Sequence, residues 1–302
     1  MSQKTTKIIM FTGKGGVGKS TMSVATALKA AQHQKTLIVS TDPSGSLAEL
    51  LQTEIGDEIT TVAPNLEVVE LTRKVVLRLW RRKFADEIYT VLAAFLPVEK
   101  DIIDYFEGAP GIDEEFMLDY VLTLHRQGVY DLIVWDTAPT ATTLNLLFIQ
   151  QLFYTHLTQA QKLYLKLKSI FKQADPVALI KKWLALTEEI IAMLRQHTSA
   201  WVVSNPERLP VEQALLIATS LEEFGIAVNG YILNKNLPAE VCRENEFLTS
   251  KLRHQQRWQQ SLRNRTRKTI IEIPELAGDA SSREKLEQIA ARLNFQPHGN
   301  GE

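Results

Sequence analysis

The run Gly13-Lys14-Gly15-Gly16-Val17-Gly18-Lys19-Ser20-Thr21 contains the residue types needed to hold a polyphosphate. Glycines let a loop turn tightly, so that successive backbone N–H groups and the start of a following helix point at phosphate oxygens. The expected cradle is Gly13, Gly15, Gly16, Val17, Gly18, Lys19, Ser20 and Thr21. Within it, Lys19 would neutralise the β- and γ-phosphates and the Ser20 hydroxyl would ligate Mg²⁺. Two acidic residues close two apolar runs, Asp42 after Thr36-Leu37-Ile38-Val39-Ser40-Thr41 and Asp136 after Leu132-Ile133-Val134-Trp135. Asp136 is placed to hold Mg²⁺ through water, and Asp42 to orient or deprotonate an attacking water. The plainer alternative for each carboxylate is to cap the helix that follows it.

These residues need a scaffold that brings strand ends together. Short β-branched runs recur at Lys7 to Thr12, Thr36 to Thr41, Glu67 to Leu71, Tyr130 to Trp135, Ala200 to Ser204, Gly230 to Leu233 and Thr269 to Ile273, with helical patterns between them. The alternation predicts an α/β fold: a doubly wound, mostly parallel sheet with helices on both faces. Open sheets of this kind bind ligands at the carboxyl ends of their strands, where Asp42 and Asp136 fall.

Two blocks exceed what a crossover needs. From Thr72 to Tyr120 an apolar stripe runs through Leu77, Trp80, Phe84, Ile88, Val91 and Phe95. From Leu152 to Gln196 two helices are expected, broken near Asp175 and Pro176, the first aligning Phe153, Leu157, Ala160, Tyr164, Leu167 and Phe171. Such spacing predicts amphipathic helices. The expected organisation is one nucleotide-binding domain over residues 1–302, with an α-helical subdomain inserted at about 72–120 and 152–196 and a disordered tail at 296–302.

The chain has 302 residues, 45% of them hydrophobic, enough for a sizeable core. Its net charge of −1 supplies no general attraction to nucleic acid or anionic lipid, and no nucleic-acid partner is expected. No run is long and apolar enough for an integral membrane segment, and the N-terminus leads straight into a strand, which points to a cytoplasmic protein. The C-terminal helix, from Ser282 to Phe295, lacks the strongly basic face of a membrane-surface switch.

Taken together, GKGGVGKST, STDPSGSL, APGIDEEF and WDTAPTATTLNLL resemble the motifs of the arsenical pump and tail-anchored protein targeting ATPases, which are deviant P-loop proteins. The likeness runs through nearly the whole chain. It implies ATP and Mg²⁺ as cofactors, a homodimer, and a signature role for Lys14, which would reach the partner's nucleotide. It also implies that Asp42 and Asp136 belong to switch I and switch II, and that Gly108 to Glu114 form a family-specific element. Asn234, at the end of Ile232-Leu233-Asn234-Lys235, would contact adenine, and the loop with Pro274 and Glu275 would cover it. The motifs depart from the family pattern at Ser44-Gly45 and Ala141-Thr142, where the family carries Ala-His and Gly-His, and at Asn145, where it carries arginine.

The single cysteine, Cys242, excludes a CxxC zinc clamp and weakens an arsenite site built from several thiolates. The expected function is a Mg-dependent ATPase switch that captures and releases a hydrophobic transmembrane-segment client. The alternatives are an ATPase that energises a membrane pump subunit for an arsenite-like anion, and a nucleotide-binding scaffold with weak hydrolysis. The apolar helices fit either a client groove or packing in the core and the dimer. The basic clusters, Arg73 to Lys83 and Arg253 to Lys268, fit solvated helical faces or a docking surface.

Overall fold

The computed structural model describes residues 6–42, 45–56, 58–93, 99–107, 112–138, 140–167, 177–278 and 282–293. Pro43, Ser44, Pro139, residues 108–111, the expected break at Asp175 and Pro176, and the tail at 296–302 lie outside them, as do the side chains of Asp113, Glu114, Ala141, Thr142 and Asn145.

The strands are β1 (Lys7–Gly13), β2 (Thr36–Ser40), β3 (Thr60–Ala63), β4 (Leu66–Glu70), β5 (Leu132–Asp136), β6 (Thr198–Ser204), β7 (Ala227–Asn236) and β8 (Thr269–Pro274). They form one sheet in the order β3-β4-β2-β5-β1-β6-β7-β8, parallel throughout except for the antiparallel β3–β4 edge. Alternation along each strand sends side chains to opposite faces. Met10, Leu37, Val39, Ile133, Trp135 and Val202 join one core, whereas Phe11, Ile38, Val68, Val134 and Val203 join the other. Both faces are dry, which is why the central strands read as continuous apolar runs.

One face is covered by α1 (Lys19–Ala30), α2 (Ser46–Leu51) and α10 (Arg283–Arg292). The other is covered by α3 (Arg73–Ala93), α5 (Ile112–Gln127), α7 (Val177–Gln196), α8 (Arg208–Phe224) and α9 (Glu246–Arg265). The short α4 (Ile102–Glu107) follows α3, and the long α6 (Thr140–Leu167) leads into α7. In α3 the expected stripe faces inward at Trp80, which is buried, and at Phe84 and Ile88, which pack against the same core, while Phe95 lies outside the described residues. A side chain of this size contributes roughly 1.5–3 kcal/mol when fully buried. In α6, Leu157 is buried while Phe148 and Leu152, at 59% and 55% exposure, face outward. Among the described residues no helix is long and apolar enough to cross a membrane.

β1 is flanked by β5 and β6, so the chain leaves it toward β2 on one side and later returns to the other. That reversal opens a crevice at the carboxyl end of β1, and the glycine-rich loop lies there.

Candidate active site

The loop after β1 turns into α1 at Gly18, the N-cap, with φ 97° and ψ 30°. This left-handed conformation favours glycine, and a Cβ there would also strike the Asn234 amide. Gly13 is equally constrained, because a Cβ would run into the carbonyl of Val203 on β6. The packing of the loop against β6 and β7 therefore depends on residues that lack a side chain.

α1 opens with Lys19, which is buried. Its Nζ lies 3.9 Å from the carboxylate of Asp42, two residues beyond β2. Burial holds the Lys19 ammonium below the usual lysine range, while Asp136 and Asp42 pull it back up. Asp136, the last residue of β5, is fully buried. It accepts hydrogen bonds from Ser23 Oγ at 3.3 Å and from Ser40 Oγ at 3.4 Å. Burial raises its carboxyl to about 6, an effect moderated by the Ser20 hydroxyl and the Lys19 charge. Ser46, the first residue of α2, donates to Ser20 Oγ at 2.9 Å, and the Ser40 hydroxyl accepts from the Asp42 backbone at 3.2 Å. Four elements thus meet within hydrogen-bonding range of one another, and each supplies an oxygen or an ammonium.

The far wall comes from the ends of β7 and β8. Asn234, buried, donates its amide to Val17 O at 2.9 Å. The backbone then turns through Lys235, at φ 58°, and α9 supports the turn by a Gln255 amide donating to Lys235 O at 3.0 Å. Pro274, Glu275 and Leu276 follow β8, tied to β7 by Glu275 N donating to Asn236 O at 2.8 Å. A cavity of about 540 Å³ spans these parts, lined by Gly16, Gly18, Lys19, Ser20, Thr21, Asp42, Asn234, Pro274 and Glu275 among others. Its size suits a nucleotide. Its donor set suits one too: an α-helix start and a lysine for phosphate, and hydroxyl and carboxylate oxygens for a hard divalent cation such as Mg²⁺.

Most residues expected from the motifs converge here. Asp136 sits one layer behind the lining, on the Lys19 side. Gly13, Gly15 and Val17 shape the loop from outside the lining, and Lys14, half-buried at its start, is also outside it. Ser23, Ser40, Ser46, Glu49, Lys235, Gly278 and Lys285 were not anticipated. Ser23 had a signal, being one helical turn after the loop serine, and Ser46 lies within the first Asp motif. Lys285 had none, because only tertiary structure brings α10 to this cavity.

With that geometry in place, comparison with known proteins is decisive. The model of the anion-transporting ATPases matches residues 6–295. The chain belongs to this ATPase family. It is 31% identical over 270 residues to a putative arsenical pump-driving ATPase 2 of Aquifex aeolicus, covering 85% of this chain and 89% of the relative. A putative arsenical pump-driving ATPase of Halobacterium salinarum is 28% identical over 82% of this chain, which spans only 37% of that protein. The "ATPase get3" of Pyrenophora tritici-repentis is 25% identical over 97% of this chain and 92% of its own length. Membership explains why the loop, the two Asp-ended strands and the β7–β8 wall occur in a single chain.

Away from the cavity, Cys242 is buried and its thiol donates to Pro238 O at 3.3 Å. Several charges of the basic clusters are internally paired, including Arg81 with Asp104 and Lys83 with Asp119 at 2.5 Å each, and Arg265 with Glu212 and Lys268 with Glu222 at 2.6 Å each.

Proposed function

We propose that this family member is a Mg²⁺-dependent, ATP-switched homodimer that captures and releases a hydrophobic helix. The observation that carries the reading is the convergence of Lys19, Ser20 and Asp42 on one cavity at the carboxyl edge of the sheet, with Asp136 behind them on the Lys19 side. ATP supplies the transferable phosphoryl group and Mg²⁺ the charge that neutralises it. The loop and the α1 N-terminus bind the phosphates, and Lys19 holds their charge in a buried position. Ser20 and, through water, Asp136 hold the cation. Asp42 orients the attacking water and takes up its proton. Asn234, Pro274 and Glu275 enclose the base. Because Ser46 already bonds to Ser20, loading the Ser20 hydroxyl with a cation changes what α2 can bind, and this makes the Asp42 loop a switch.

The client reading draws support from α6, where Phe148 and Leu152 are more than half exposed, and from similarity to the "ATPase get3" protein. In this reading the helices of residues 72–120 and 152–196 form a client-facing subdomain, and the protein works in the cytoplasm. A second reading, an ATPase that drives an arsenical pump, draws on the names of the Aquifex aeolicus and Halobacterium salinarum relatives. The lone, buried Cys242 favours the client reading.

The test is phosphate release with ATP and Mg²⁺, followed by crosslinking to an apolar helical peptide. Lys19→Ala should lower turnover by about a hundredfold or more. Asp42→Asn should bind ATP, stall, and retain the peptide longer than wild type. Turnover that survives Lys19→Ala would refute the site; stimulation by arsenite with no peptide capture would replace the client with a pump.

A further inference from the structure

Lys285 presents an unexplained charge at this cavity. It belongs to the first turn of α10, and its Nζ is enclosed by protein with no hydrogen-bond or ion-pair partner among the described residues. It lines the cavity together with Gly278 and Ile289. A Cβ built on Gly278 would stand 2.7 Å from the Lys285 Nζ, so the ammonium lies directly over a glycine, whose φ of +81° already favours that residue.

Among the described residues no acceptor hydrogen-bonds to this ammonium, although Glu49 and Glu275 line the same cavity. An ammonium withdrawn from water without acceptors loses solvation that the protein does not replace. The first turn of a helix is its positive end, where carboxylates are favoured and lysines are not. Lysines at a surface usually extend their ammonium into solvent, as the neighbouring exposed Lys235 does. Lys285 instead turns inward, toward the cavity.

Two further contacts say which part of a nucleotide it would meet. At the last turn of α1, Lys29 Nζ donates to Ala290 O at 3.0 Å and Leu293 O at 3.3 Å, capping the end of α10. Both helices follow parallel strands and return over the same face, so the start of α10 comes level with the start of α1. The phosphates are taken by Gly16 to Thr21, which leaves the wall of Asn234, Pro274, Leu276, Gly278 and Lys285 for the nucleoside. On that wall one of the two Asn234 amide N–H groups is engaged with Val17 O, leaving Asn234 one donor and its acceptor oxygen. A lysine offers only donors. Ribose oxygens and the ring nitrogens of a purine are acceptors.

We propose that Lys285 is a specificity-determining residue that binds the nucleoside end of the nucleotide, donating from Nζ to ribose oxygens and acceptor nitrogens of the base. The proposal rests on the phosphate-loop reading above. Its test compares calorimetric binding of Mg·ATP with that of Mg·tripolyphosphate, which has phosphates but no nucleoside. Lys285→Met should weaken ATP by about tenfold or more, the loss of a charge-assisted hydrogen bond, and leave tripolyphosphate within about twofold. Retained tripolyphosphate binding also certifies that the variant is folded. Gly278→Ala, which displaces the ammonium without removing it, should show the same selectivity. ATP binding unchanged in Lys285→Met, or both ligands weakened alike, overturns the proposal while the phosphate loop stands. A wild-type protein that binds neither ligand overturns the phosphate-loop reading and this one with it.

Discussion

Asp136 concentrates the electrostatic cost of the site. It is a fully buried carboxylate at the end of β5, held by the hydroxyls of Ser20, Ser23 and Ser40 and by one lysine, yet its carboxyl rises to about 6 because desolvation outweighs these contacts. A folded-state value above the unfolded one means that the native protein binds the proton more tightly. The resulting stabilisation is fully present below about pH 4 and is lost as pH rises through about 6. At neutral pH the ionised carboxylate therefore lowers the stability of the nucleotide-free protein, by about 3 kcal/mol at most for a shift of this size. Asp136→Asn should raise the chemical-denaturation midpoint at pH 7.5, by an increment that shrinks toward zero at pH 4, while turnover collapses. Denaturation curves at the two pH values decide this, and an equal increment at both would show that the charge is not the cause. Such a trade of stability for a poised ligand is common where function requires a buried charge.

At the scale of elements, the site depends on how α2 is attached to the sheet. Glu70, the last residue of β4 and paired in register with Ser40, accepts a hydrogen bond from Leu47 N at 2.8 Å. This buried carboxylate caps the first turn of α2 and so anchors the far end of the Asp42 loop. Glu70→Ala should cost about 1–2 kcal/mol by orphaning the Leu47 N–H, and should slow phosphate release by loosening the loop. Glu70→Gln keeps the acceptor and should retain most of both. Urea denaturation and phosphate release measure the two effects; an Ala variant as stable and as active as wild type would show that α2 holds itself in place. Glu70 illustrates what sequence can and cannot convey. The strand end was legible as part of a β-branched run, but the partner of its side chain lies across a loop. The same limit explains β3, whose four residues at an antiparallel edge lack the length of the central runs. It also explains the long stripe after Thr72, whose even spacing concealed its division into α3, α4 and α5. Motifs in contiguous sequence exposed Lys19, Ser20, Asp42 and Asp136. Ser23 and Ser40, which also hold Asp136, and the lysine on α10 are set by packing, and contiguous sequence carries little of that information.

At the scale of the whole molecule, the cavity lies at the carboxyl edge of the sheet, and one lysine of the phosphate loop does not line it. Lys14 is half-buried at the start of the phosphate loop, outside the cavity wall, whereas Lys19, five residues later, is within it. Two lysines on one short loop with different surroundings imply different recipients for their charge. If Lys14 serves a nucleotide in a second subunit, its loss should leave each subunit's own site intact and remove the link between nucleotide and assembly. The expectation is specific. In sedimentation velocity, Asp42→Asn protein should shift from monomer, or from a loose dimer, to a compact dimer on adding Mg·ATP. The double variant with Lys14→Ala should bind ATP within about threefold of the parent yet show no such shift. Coupling of this kind is reciprocal: if nucleotide promotes closure through Lys14, closure must tighten nucleotide, and ATP affinity should rise with protein concentration in the parent but not in the double variant. Loss of ATP binding in Lys14→Ala would place the residue in its own site. A compact dimer that forms regardless of Lys14 would assign the coupling to the Asp42 and Asp136 loops alone.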